Sequence, residues 1–500
     1  MNWVAIIPLI IFLAIIFWVG LYASRYVQSS KTFMQEYFLG ERSLGGFVLA
    51  MTMTATYGSA SSFIGGPGTA YTQGLGWVLL AMSQVVTGYF VLMVLGKKFA
   101  IVTRRYKAIT MVDYLKERYK SPVVVILSSI SIIVFLFSAM AAQWIGGARL
   151  VESLTGLSYI TALFIFAASV LIYVTIGGFR AVALTDAVQG TVMFIGTLIL
   201  LIATIIAGGG IPNIIADLKA ENPNLITPFG AEGTLSPAYV SSFWILVGVG
   251  VIALPQIAVR AMSYKNAKSM HRALIIGTIV VGFIMLNMHL IGVFARPILP
   301  GIDVGDKVMP LIALETMPAW LAGIVLAAPM AAIMSTVDSL LILVSSTVVK
   351  DVYINYIKPD ATHQTVKRLS LAVTAILGVI VLIMALDPPD LIIWLNLFAF
   401  GGLEAAFIWP VVLGLYWKEG NKYGAIASII TGVSLYTLSD LLPKALTNVL
   451  SASSLDSISS LFQPFGMHAV VVPVIASFFA YIIVSLLTRR LIPEQLKPKY

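Results

Sequence analysis

The sequence predicts an all-α polytopic membrane protein of thirteen spans, with the second and seventh broken. Three observations predict it. The 500 residues are 59% hydrophobic and only 11% charged, whereas soluble globular domains carry about 25% charged residues. Apolar runs of about 20 residues, the length that crosses a bilayer as a helix, recur from one end to the other. Two of those runs are interrupted by glycine and proline in places where a continuous helix would be expected.

Taken in order against Gly, Pro and charged breaks, the spans lie near 3–23, 44–70, 75–99, 122–147, 156–176, 185–208, 239–261, 273–296, 315–349, 369–386, 391–416, 423–441 and 467–487. The first, Trp3–Ala23, lacks a basic leader and is longer than a signal core, so it reads as a retained span. Alternate loops from the first to the eleventh, together with the C-terminal tail, hold 26 of the 31 Lys and Arg residues. The positive-inside rule therefore places the N-terminus outside and the C-terminus in the cytoplasm of a chain expected in the plasma membrane. The polar insertions Gly208–Ala238 and Thr447–Met467 then fall outside, and residues 1–500 form a single transmembrane domain. Net charge is +9, but the basic residues sit in short loops as topology signals touching lipid and form no separate nucleic-acid patch.

The second span reads LAMTMTATYGSASSFIGGPGTAY, with Gly58, Gly65, Gly66, Pro67 and Gly68 among Thr54, Thr56, Tyr57, Ser59, Ser61 and Ser62. The seventh reads WILVGVGVIALPQIAVRAM, broken at Gly248, Gly250 and Pro255. Glycines can serve close helix packing, but irregular backbone at membrane depth also marks a cavity lining. Because the breaks are five spans apart, spans 2–6 (about 44–208) and 7–11 (about 239–416) are expected to be inverted repeats, each opened by its broken helix. Spans 1, 12 and 13 would be peripheral.

The ninth span carries LAAPMAAIMSTVDSLLILVSSTVVKD from Leu326 to Asp351. Ser335, Thr336, Asp338, Ser339, Ser345 and Ser346 fall near i, i+3, i+4 and i+7 spacing, so most share a helix face. One reading is helix–helix contacts and backward hydrogen bonds to the backbone. The other is a ladder of oxygens for a hard cation such as Na⁺, with Asp338 needing a cation or partner to offset several kcal/mol of burial cost. Asp186 opens the sixth span as a cap or a cation ligand. Gln143 and Glu404 lie inside spans four and eleven, where structural hydrogen bonding and function are both open. Arg149, Arg180 and Arg260 sit at span ends, where snorkelling is expected. With no Cys, four scattered histidines and no HExxH or GxSxG arrangement, neither transition-metal chemistry nor an intramembrane enzyme is indicated. His289, the one histidine deep in a span, reads as a satisfied core residue.

The segments EYFLGERSLGGFVLAMTMTATYGSASSFIGGPG, QWIGGARLVESLTG, TIGGFRAVALTDAVQG, LPQIAVRAMSYKNAKSMHRA and LAAPMAAIMSTVDS resemble the sodium:solute symporter family over almost the whole chain. The resemblance implies an inverted-repeat transporter with Na⁺ as coupling ion and no other cofactor. By motif it implies a main sodium site of Ala55, Gly58, Ala332, Ser335 and Thr336. A second cation site, present in some members, would map to Asp186, Ser335, Asp338 and Ser339; here Asp338 stands where other members carry a hydroxyl or an apolar residue. The seventh-span motif, usually Gln-Pro-His, is Leu254-Pro255-Gln256. The expected solute is a polyhydroxylated amide acid, with proline or another small carboxylate the alternative. Tyr57, Ser59, Ser61, Gln143, Gln256 and Glu404 are its candidate contacts.

Overall fold

A computed structural model describes residues 3–28, 43–389, 391–446, 454 and 459–491, apart from the side chains of residues 20, 21, 23–28, 172–184, 363, 444 and 445. The expectation for Arg180 lies outside the described side chains. Eight helices among the described residues are long and apolar enough to cross a membrane. Pro237–Ala253 and Pro255–Met262 pass the same test together, bent by 52° at their junction. Shorter apolar helices cover Trp3–Val19, Gly46–Tyr57, Tyr159–Leu171 and Val471–Leu487.

Local sequence sets the boundaries. Ser121 caps a helix that begins with Pro122, where a missing N–H costs nothing, and Gly156 ends it at φ 70° with its N–H on the Glu152 carbonyl at 2.8 Å. Spans five and six, expected to be separate, share one helix, Tyr159–Ala207. The intervening IGGFRAVALT contains no proline, so no backbone N–H is missing where Gly177 and Gly178 weaken the helix.

All 20 residues of the Ala327–Ser346 helix are buried, its polar stripe included. It packs against Gly46–Tyr57, Pro122–Thr155 and Tyr159–Ala207 at the centre of the bundle. The outside is apolar too: Ile126, Ile130 and Val134 form an exposed stripe along one helix face, a surface suited to lipid.

A short amphipathic helix, Met111–Tyr119, is held at one end of the bundle. Its Arg118 donates to the carbonyls of Gly414, Trp417 and Gly420 at 2.7, 3.2 and 3.0 Å, closing the orphaned C-terminal end of Ile393–Tyr416. A compact ammonium cannot fork across all three acceptors. Arg118→Lys and Arg118→Met should therefore each lower the melting temperature of the detergent-purified protein, Met more, by about 1.5–3 kcal/mol per charged hydrogen bond lost. Unchanged melting would contradict this bracing role.

Candidate functional site

The Gly46–Tyr57 helix ends because Gly58 turns extended, at φ −66° and ψ 122°. A helix end leaves its last carbonyls without intrahelical partners and gathers partial negative charge there. The central helix answers two of them. Ser335 Oγ donates to Ala55 O at 2.8 Å, and Thr336 Oγ1 to Gly58 O at 2.9 Å. Both hydroxyls also lie near Ala332 O, at 3.1 and 2.9 Å. The five residues that the sequence motif singled out thus converge as three carbonyls and two hydroxyls, with no nitrogen or sulfur. Such an oxygen set fits a hard monovalent cation.

Beyond the break the chain re-enters a helix, and its first free N–H, Ala60 N, is taken by Gln143 Oε1 at 2.8 Å. Gln143 Nε2 donates back to Ala139 O at 3.1 Å, fixing the amide. Gln143 is therefore a brace for the break, and it lies outside the cavity described below.

The other broken span runs through a wide-turn stretch, Trp244–Val249, and a tight one, Gly250–Ala253, before Leu254 turns extended and Pro255 starts Pro255–Met262. Loosened turns free the Val247 carbonyl, which accepts from Tyr57 Oη at 3.0 Å and Thr87 Oγ1 at 2.7 Å. At their far ends the two broken segments are tied by a parallel bridge, with Leu44 N on Ser263 O at 3.2 Å and Lys265 N on Leu44 O at 3.0 Å.

Between the two breaks lies a partly open cavity, lined among others by Tyr57, Ser61, Ser62, Trp77, Gln84, His289, Asn396 and Phe400. Ser61 Oγ and Trp77 Nε1 are buried there without a hydrogen-bond partner among the described residues. His289 Nδ1 lies 2.6 Å from Met285 O and must carry the proton to make that bond, which leaves Nε2 for the cavity side. Of the expected solute contacts, only Tyr57 and Ser61 line this cavity. Ser59, Gln143, Gln256 and Glu404 do not. Glu404 is fully buried instead against Gly250, where an added Cβ would meet its Oε2. Trp77, Gln84, His289 and Asn396 were missed; the only signal available was a lone polar or aromatic residue inside an apolar run.

The residues expected at a second cation site do meet, but around a side chain expected elsewhere. Arg260 does not snorkel: it is 2% exposed, because the 52° bend turns its half-helix into the bundle. Arg260 Nη2 lies 2.6 Å from Ser339 Oγ and 3.3 Å from Asp186 Oδ2, and Nη1 lies 3.0 Å from Gln256 O. Thr52 Oγ1 donates to the same Asp186 oxygen at 2.5 Å, and Ser339 Oγ donates to Ser335 O at 2.8 Å. Asp338 is buried one turn beyond Ser335 and acts on the guanidinium electrostatically. Beside this cluster a second, partly open cavity is lined by Gln256, Arg260, Ser339, Ser346 and Thr110, among others.

A multi-pass helical transporter with paired helix breaks is the class this architecture defines. Residues 37–432 match the sodium:solute symporter family, and the chain belongs to that family. It is 51% identical to the sodium/pantothenate symporter of Escherichia coli (strain K12), over 87% of this chain and 90% of that one. It is likewise 51% identical to the corresponding protein of Haemophilus influenzae, over 88% and 90%. An osmoregulated proline transporter of Bacillus subtilis is 30% identical over 97% and 96%. Among solved structures, a substrate-bound, outward-open Na⁺-coupled sialic acid symporter superposes with TM-score 0.73 at 19% identity, covering 98% of both chains. Mhp1, a nucleobase-cation-symport-1 family transporter, gives 0.57 at 15% identity, covering 93% of this chain and 96% of that one. These two likenesses speak to the fold.

Replacing Gln143 with Leu keeps the bulk but strands the Ala60 N–H in a dry interior. The variant should lose about 1–3 kcal/mol of stability, read as a lower melting temperature; Gln143→Glu, which keeps the acceptor oxygen, should lose less. Equal melting for all three proteins would contradict the bracing role.

Proposed function

We propose that this chain imports pantothenate with Na⁺ across the plasma membrane by alternating access. The observation that carries the reading is the shared segment 55–62. Its carbonyls at Ala55 and Gly58 join Ser335 and Thr336, while Tyr57, Ser61 and Ser62 line the cavity. Sodium on Ala55, Gly58, Ala332, Ser335 and Thr336 would fix the break, and with it the cavity wall. Ion and solute then favour the same state, and each tightens the other reciprocally.

The cavity chemistry fits this solute class. Ser61, Trp77, Gln84 and Asn396 offer neutral hydrogen-bonding groups for an amide and hydroxyls, and the His289 imidazole, its Nδ1 proton committed to Met285 O, can accept from a hydroxyl at Nε2. Relatives with about half of their residues in common are sodium/pantothenate symporters, which favours this solute over proline.

The finer architecture follows the same reading. The eight long helices, the bent pair and the shorter apolar helices would together form one transmembrane domain. The start of Gly46–Tyr57 lies beside the end of Pro255–Met262, as antiparallel opening helices of inverted repeats 2–6 and 7–11 would require. With the basic loops in the cytoplasm, the N-terminus is outside and this shared end faces the cytoplasm.

Purified protein in proteoliposomes should accumulate radiolabelled pantothenate under an inward Na⁺ gradient and not under a K⁺ gradient, with excess proline competing weakly. Absence of gradient-driven accumulation would overturn the reading. Thr336→Ala should raise the Na⁺ concentration for half-maximal uptake about tenfold, the effect of roughly 1.4 kcal/mol of lost ion binding. An unchanged Na⁺ dependence would remove Thr336 from the site. Trp77→Phe should raise the pantothenate KM several-fold while leaving the Na⁺ dependence near its original value.

A further inference from the structure

One cation is already built into the protein beside the proposed sodium site. We propose that the Arg260 guanidinium fills the position a second sodium would take between Asp186 and Ser339, so that one sodium moves with each anionic solute and the cycle is electroneutral. The inference rests on the symport reading above and goes beyond it by setting the stoichiometry.

The geometry supports occupancy rather than proximity. Arg260 Nη2 is within hydrogen-bond distance of both Ser339 Oγ and Asp186 Oδ2, two of the oxygens a cation there would need. Asp186 Oδ2 also accepts from Thr52, and the Ser339 hydroxyl hydrogen is committed to Ser335 O. Ser335 is itself part of the main sodium site, one hydrogen bond away. The guanidinium is held on the other side by Gln256 O from its own helix turn. A planar, permanently charged group with fixed donors suits a dry site better than an ion that must first shed water. A tethered cation also stays with the protein through the cycle, so it balances Asp186 in every state and transfers no charge. Arg260 and Ser339 both line the second cavity, which shares no lining residue with the solute cavity. Sodium leaving Ser335 in that direction meets the guanidinium first, and like charge discourages a second ion from resting there.

The wild-type protein tests this without any variant. In proteoliposomes holding a tenfold inward Na⁺ gradient, one sodium per singly charged pantothenate should give about tenfold accumulation at equilibrium. That ratio should not change when a K⁺ diffusion potential of about 60 mV, inside negative, is imposed. Two sodium ions, the second held by Asp186 and Asp338 despite Arg260, would give about a hundredfold accumulation at zero potential and about tenfold more at 60 mV. That result would overturn the inference while leaving Na⁺-coupled import standing. No Na⁺-driven uptake at all would overturn both. As a second arm, Arg260→Gln should change the Na⁺ dependence of uptake from hyperbolic to sigmoidal and make uptake sensitive to potential. In Arg260→Gln/Asp338→Asn, with one carboxylate fewer, the sigmoidicity should weaken. A folded Arg260→Gln protein that keeps hyperbolic, potential-independent uptake would contradict the inference.

Discussion

Two hydroxyls on carbonyls hold this structure in its working form: Ser335 on Ala55 and Thr336 on Gly58. A helix that stops in mid-membrane leaves carbonyls that neither water nor lipid can satisfy, so something in the protein must meet them. The central helix does so, and its other polar contacts follow from that docking. Ser339, one turn along, reaches the guanidinium, while the backbone beyond the break is caught by Gln143. Exchanging a hydroxyl proton for a cation at the same oxygens would keep the break closed with a different bond. Ion occupancy can therefore be felt in the cavity wall at Tyr57 and Ser61.

The second broken span depends on the first. Tyr57 passes its hydroxyl to Val247 O, and the bridge between Leu44 and Tyr264 joins the opposite ends of the two segments. The two breaks are thus joined through backbone acceptors at both places. Glu404 packs against Gly250 in the same region, where the small residue lets a carboxyl lie against the backbone.

The sodium-type oxygen set was legible in the sequence because its parts are local. A glycine-rich break and a serine–threonine pair can each be read within one segment, and the family motif joins them. Arg260 was not legible. A basic residue near a span end normally reaches for the interface, and its inward course depends on the bend at Leu254–Pro255, a tertiary fact. The cavity lining was only half visible for the same reason. Trp77, Gln84, His289 and Asn396 are isolated in apolar runs, and only the packing of three separate spans brings them together. Gln143 was visible as a buried amide, but its partner is a backbone N–H that exists only because of the break. Conversely, the break expected between spans five and six rested on Gly177, Gly178 and Arg180 interrupting the apolar run, and the helix runs on through Tyr159–Ala207.

The central claim is that sodium binds at the break itself. Hydrogen–deuterium exchange of the purified protein, without solute and at equal ionic strength in Na⁺ or K⁺, tests it most directly. Sodium should slow amide exchange in the peptide spanning Ala55–Phe63 and in the facing turn at Ser335–Ser339, and Thr336→Ala should remove that protection. Identical exchange in the two salts at those segments, in protein that still transports, would place the coupling ion elsewhere.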